Sequence, residues 1–280
     1  MTWKIVVDSG CNLKQLENLP ENVRFESVPL TLQIGNEVYI DDEKIDIPAM
    51  MEKLYSTQAA ASSACPSPDA FLSAYRGADR VIVLTITGAL SGSHNAAQLA
   101  KNLLLEEKPD TEVHVIDSLS AGGENDLLVL KLVELIAQGL SFDQVVTAIT
   151  AYQEKTKLLF VLEKVDNLVK NGRLSKLAGK VVGMLNIRLV GEASSEGTLE
   201  LLHKARGQKK SISSGYTEML KAGYQGGRVM LSHAYNDKLA EQFSKAIKAD
   251  FPKADVRILP TSGLCSFYAE DGGILMGYEI

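Results

Sequence analysis

The sequence predicts an α/β protein organised as two domains, an N-terminal one with a mostly parallel sheet and a C-terminal α/β one. Short apolar runs such as Val81–Ile86 alternate with segments of helical spacing. The 280 residues are 45% apolar, enough for one large core or two smaller ones. A second region opens with the apolar run Leu158–Leu162, which sets the expected domains at 1–157 and 158–280.

Each element follows from local chemistry. Lys4–Val7 reads as a first strand ending in Asp8-Ser9-Gly10-Cys11. Phe25–Leu32 is expected to be a second strand, followed by a hairpin turn at Ile34–Val38. Pro48 suits the first turn of a helix over Ile47–Tyr55. The small residues Ala59–Pro68 read as a loop that starts a helix at Pro68. Glu112–Ile116 is a strand that ends in Asp117–Gly123. Leu127–Ile136 is apolar on nearly every side, so its helix should be deeply buried. Ser141 and Gln144 have capping-box spacing and open a helix through Tyr152. Val165–Lys170 is a short helix stopped by Asn171-Gly172, a left-handed C-cap pair. Ile187–Val190 and Leu199–His203 read as paired strands around the Ser194–Gly197 turn. Gln208–Ala222 and Lys238–Ala249 read as helices, and Arg228–Ser232, Val256–Leu259 and Ile274–Tyr278 as strands. Leu259–Glu270 mixes hydroxyls with an aromatic pair and reads as a loop, either over an apolar ligand or as a packed connection.

Composition narrows the function. The net charge is −6, with 29 basic and 35 acidic residues, so nucleic acid is not an expected partner. No apolar run reaches the ~18–20 residues of a membrane span, and Met1-Thr2-Trp3-Lys4 runs straight into a strand. Three cysteines, Cys11, Cys65 and Cys265, cannot all pair and match no zinc spacing; reduced thiols fit a cytoplasmic protein. Four scattered histidines give no metal-ligand spacing, and no metal is expected.

The most informative stretch is Thr87-Gly88-Ala89-Leu90-Ser91-Gly92-Ser93-His94-Asn95, between a strand and a helical segment. A helix N-terminus carries unpartnered N–H groups and the positive end of the dipole, so this turn suits an anion. It has no lysine, which a triphosphate site usually includes. A small anion such as a carboxylate therefore fits better than a nucleotide. Asp8–Cys11 and Asp117–Gly123 also lie at strand ends, where open parallel sheets bind ligands. Ser62 or Ser63 could add a hydroxyl to the same crevice. Two basic loops, Lys170–Lys176 and Lys204–Lys210, offer Arg173 and Arg206, either as charges that complement helix dipoles or as forks for an anion or an acidic partner. A hydrolase or phosphotransferase using Ser93 is the competing reading. It lacks the Gly-x-Ser-x-Gly elbow, because Asn95 follows His94. A regulatory module that senses a ligand and binds another protein is a third.

Taken in order, the motifs resemble the DegV family of bacterial fatty-acid-binding proteins over the whole chain. Val7-Asp8-Ser9, Ser63–Ser67, Leu90–Ala97, Val115–Ser118, Leu168–Ser175 and Arg206-Gly207 with Lys209-Lys210 carry the resemblance. It implies two α/β domains with one long-chain fatty acid between them and no catalytic activity or cofactor of the protein's own. The carboxylate would meet Ser63, Ser91 and the backbone of Gly92 and Ser93, with the acyl tail in an apolar tunnel. The resemblance further implies phospholipid metabolism, a fatty acid kinase as partner, and Arg173 and Arg206 as candidates for head-group presentation or kinase docking. Transient membrane contact is compatible with such a role. Two departures stand out: Cys65 replaces a common glutamine, and Ser262–Ser266 lacks the histidine that many members carry.

Overall fold

The computed structural model describes residues 1–174 and 186–280. Ser175 and Lys176 of the first basic loop lie outside the described residues. A parallel four-stranded sheet has the order β2-β1-β6-β7, built from β1 (Trp3–Asp8), β2 (Val23–Val28), β6 (Arg80–Thr85) and β7 (Glu112–Asp117). Strand side chains alternate between faces, and these strands are apolar on both. Ile5, Val7, Ile82 and Leu84 pack on α4 (Gly123–Ala137) and α5 (Phe142–Gln153). Val6, Val81 and Val83 pack on α2 (Pro68–Tyr75) and α3 (Ser93–Glu107). The Ser141–Gln144 capping box forms as expected.

A small antiparallel sheet has the order β4-β3-β5, from β3 (Thr31–Ile34), β4 (Glu37–Ile40) and β5 (Ala61–Ala64). It shares a core with α1 (Ile47–Ser56) and α9 (Gly263–Ala269). Here the sequence reading needs correction three times. Phe25–Leu32 is two strands, because Pro29 has no N–H to continue a ladder. Ala61–Ala64 is a strand paired with β3, not a loop. The segment after Pro260 contains a helix, whose first donors, the Gly263 and Leu264 N–H groups, are satisfied by the Asp41 carboxylate at 2.9 and 2.7 Å.

The third sheet has six strands in the order β10-β9-β8-β13-β11-β12: β8 (Thr156–Leu162), β9 (Ile187–Ala193), β10 (Leu199–Arg206), β11 (Val229–His233), β12 (Val256–Pro260) and β13 (Ile274–Glu279). Only β11 and β12 pair in parallel here, whereas the mostly parallel sheet expected of the N-terminal domain is the first one. One face is covered by α7 (Gln208–Ala222) and α8 (Asp237–Asp250). Against β13 on the other face lies α4, the helix read as buried all round. Glycines permit that approach: a Cβ on Gly123 would stand 2.2 Å from the Met230 carbonyl oxygen, and one on Gly277 would stand 2.3 Å from the Glu124 nitrogen. The short α6 (Asp166–Lys170) ends at Asn171, and Gly172 follows with φ +74°. No described helix is long and apolar enough to cross a membrane.

Candidate functional site

The ends of β5, β6 and β8 converge with α6 and α9 around a cavity of about 340 Å3, within the ~300–1,000 Å3 typical of small-molecule sites. Its deep wall comes from β8, where Leu158, Phe160 and Leu162 face the cavity and Leu159 and Val161 face the core under α7 and α8. Leu30, Ile86, Ala121, Leu168, Leu199, Leu264 and Leu275 add to the apolar lining, and Cys265 lines it too.

Polar groups occur in one part of the lining. Ser63 comes from β5, opposite Leu32 in the register with β3, and its hydroxyl is 2.7 Å from that of Tyr268. Ser91 and Gly92 come from the turn before α3. Cys65 adjoins them: a Cβ on Gly92 would be 3.0 Å from its sulfur. Arg173 reaches across, donating from Nε to the Leu90 carbonyl at 3.2 Å, with its guanidinium over the Tyr268 ring. Three oxygen-bearing side chains and a guanidinium thus face an otherwise hydrocarbon surface.

The predicted residues separate. Ser63, Ser91, Gly92 and Arg173 line one cavity. Ser93 is fully buried behind it, where its N–H donates to Ser91 Oγ at 3.2 Å and its hydroxyl accepts from the Ser91 hydroxyl at 3.3 Å. Arg206, at the end of β10, is exposed and does not line the cavity. Asp8 is fully buried too; desolvation raises its carboxyl to about 6, although the Ile86 N–H, the Ser93 hydroxyl and the Gly10 N–H all favour its charged form. Asp117 turns back to the Gly88 and Leu119 N–H groups and shapes its own loop. Among the described residues no histidine lines the cavity; His203 pairs with Glu218, and His233 accepts the Asn236 N–H. Cys11 and Cys265 are buried, with thiol pKa values pushed up chiefly by burial, to about 12 for Cys265, whereas Cys65 is exposed. Sequence reasoning offered the aromatic pair Phe267-Tyr268 as one possible cover for an apolar ligand, but it missed the Tyr268 bond to Ser63 and the β8 wall. The uninterrupted run Leu158–Leu162 carried the signal, since a strand apolar at every position must bury both faces.

A largely apolar cavity with polar groups gathered in one part of it defines a protein built to hold an amphiphile. The chain belongs to the DegV family: the family model described as uncharacterised protein, DegV family, matches residues 2–278. It is 65% identical over 280 residues to a DegV domain-containing protein of Streptococcus pneumoniae, covering 100% of both chains. Among solved structures it is similar to the Streptococcus pneumoniae fatty acid kinase B3 protein loaded with linoleic acid, with TM-score 0.99, 65% identity and 100% of each chain covered. It is also similar to a DegV family protein from Eubacterium eligens loaded with heptadecanoic acid, with TM-score 0.96, 38% identity and 99% of each chain covered.

Proposed function

We propose that this protein binds one long-chain fatty acid and presents its carboxylate to a partner fatty acid kinase, performing no chemistry itself. The observation that carries this reading is the cavity: hydrocarbon walls, with Ser63, Ser91, Gly92 and Arg173 gathered where a carboxylate would lie. Relatives of 65% and 38% identity with the same fold hold linoleic and heptadecanoic acid. In this arrangement Ser63, Ser91 and the Gly92 and Ser93 backbone take the carboxylate. Arg173 stands at the head group, and exposed Arg206 serves the partner. Residues 1–157 supply the carboxylate-binding turns, and 158–280 cover the acyl chain. Three free cysteines suit a cytoplasmic setting.

Magnitudes favour a lipid over a short acid. Burying ~14 methylenes contributes roughly 11 kcal/mol gross, against ~1.5–3 kcal/mol for each charge-assisted hydrogen bond, before ordering costs. The tail sets affinity and the hydroxyls set orientation. The competing hydrolase reading requires Ser93 as nucleophile. Its hydroxyl is buried and faces Asp8, which favours a holding role. Organic extraction and mass spectrometry of purified protein should find about one fatty acid per chain. Protein that is empty on purification and takes up no added fatty acid overturns the reading.

A further inference from the structure

Next to the apolar cavity lies a second, polar one of about 270 Å3, just below the range typical of small-molecule sites. The end of α1, the start of β5, α6 and the residue after α9 enclose it. The two cavities share walls: Ala61 lines the polar one and Ser63 the apolar one, and Asn167 and Leu168 divide in the same way, as do Glu270 and Tyr268. The most buried polar groups of the second cavity are Glu270 and Asn167, 2% and 3% exposed. Glu270 Oε1 accepts the Asn167 N–H at 3.0 Å, and Asn167 Nδ2 donates to the Phe267 carbonyl at 2.9 Å. No described residue donates to Glu270 Oε2 or to Asn167 Oδ1, and no described cation pairs with the Glu270 carboxylate. Lys164 is engaged elsewhere, by Asp271 at 3.5 Å and by the Tyr55 ring at 4.1 Å.

A charge taken out of water without a partner is costly, so buried carboxylates are paired as a rule. The backbone adds to that cost. Glu270 sits at φ +52° and ψ −177°, a conformation that glycine adopts far more readily than other residues. Receiving the Asn167 N–H needs an acceptor, not a charge. A glutamate held there, buried and unpaired, points to a cation that comes from outside the chain.

We propose that this cavity binds a small zwitterionic amino acid, with its ammonium group on Glu270 and Asn167 and its carboxylate at Lys170. Glu270 Oε2 and Asn167 Oδ1 are acceptors, and an ammonium group has three donors to give. Two acceptors are too few for a hard divalent ion, which takes roughly six or more oxygens. Among the described residues no three carboxylate, histidine or cysteine side chains gather to hold a metal. Lys170 lines the same cavity, exposed and without an ion pair among the described residues. An ammonium on a carboxylate at one end, and the reverse at the other, gives charge-assisted hydrogen bonds to both ends of the ligand. Asp166 and Thr57 complete the polar lining.

The inference does not depend on the fatty-acid reading. Full-length protein, with and without dodecanoate, is titrated with glycine, β-alanine and 4-aminobutyrate, which space the two charges differently, and binding is followed by saturation-transfer NMR. At least one should bind, equally in both preparations, and more tightly than methylamine or acetate, each of which offers half of the pair. Glu270→Gln keeps an acceptor for the Asn167 N–H but loses the charge, and should weaken binding about tenfold or more. Lys170→Ala, at an exposed position, should weaken it too, and carries the comparison if Glu270→Gln fails to fold. No binding of any of the three, binding that both substitutions leave intact, or binding abolished by dodecanoate overturns the inference, and the carrier role stands in each case.

Discussion

The Ser91 hydroxyl accepts the Ser93 N–H, donates to the Ser93 hydroxyl and lines the cavity, where we propose that it meets the carboxylate. Replacing it with alanine removes one charge-assisted hydrogen bond, about 1.5 kcal/mol, or roughly tenfold in affinity. Displacement titration with a fluorescent fatty acid should show that weakening, and an unchanged constant would remove Ser91 from the head-group site. Asp8 also affects folding. Its native pKa, about 6, lies above the ordinary 3.8. The folded state therefore binds its proton more tightly. The resulting stabilisation is fully present below the ordinary value and lost as pH rises through the folded value, by about 3 kcal/mol at most. Urea unfolding at pH 5 and pH 8 should show wild type losing stability relative to Asp8→Asn over that interval; parallel profiles would refute it. At this scale much of the site was legible. Hydroxyls and glycine at a strand-to-helix turn identified Ser91 and Gly92. Ser93 was expected to offer its backbone to the carboxylate or, in the competing reading, its hydroxyl as a nucleophile; the burial of that hydroxyl was not foreseen. The bond between Ser63 and Tyr268 was illegible because it spans 205 positions of sequence.

Elements that stabilise themselves locally were readable, and those completed from afar were not. The box at Ser141 and the stop at Gly172 are written within a few residues. Strand β5 has no apolar alternation and exists through its ladder with β3. Helix α9 has no side-chain bond from its own N-cap residue, Ser262; its cap is Asp41, 222 positions earlier. Removing that distant carboxylate with Asp41→Ala should leave two buried N–H groups unsatisfied, at about 1–3 kcal/mol each. Denaturant titration would show the loss, and a shift below 1 kcal/mol would contradict the capping role. The contact between α4 and β13 is stricter still. In Gly277→Ala the new methyl would meet the backbone of Gly123 and Glu124, which cannot rotate away. Overpacking of this kind costs about 1–3 kcal/mol, and a lowered Tm in a thermal melt is the expected result.

For the whole molecule, a cavity lined by residues from Leu30 to Leu275 couples ligand occupancy to stability. A ligand that binds only the folded state adds about 2.7 kcal/mol at a hundredfold excess over its Kd. Stripping the acid should therefore lower the Tm, and restoring it should reverse the change; a Tm indifferent to both would mean that the cavity is not the binding site. The two-domain α/β plan was readable because short apolar runs alternate with helical segments along the chain. The strand order of the third sheet was not, since antiparallel pairing among β8, β9 and β13 leaves no local mark. The distribution of sulfur over the chain has a practical consequence. Cys11 is sealed in the interior and Cys265 is buried in the cavity wall, while Cys65 is exposed beside Gly92. A maleimide dye would attach at that one point without any engineering, and its change in emission would follow filling and emptying in real time.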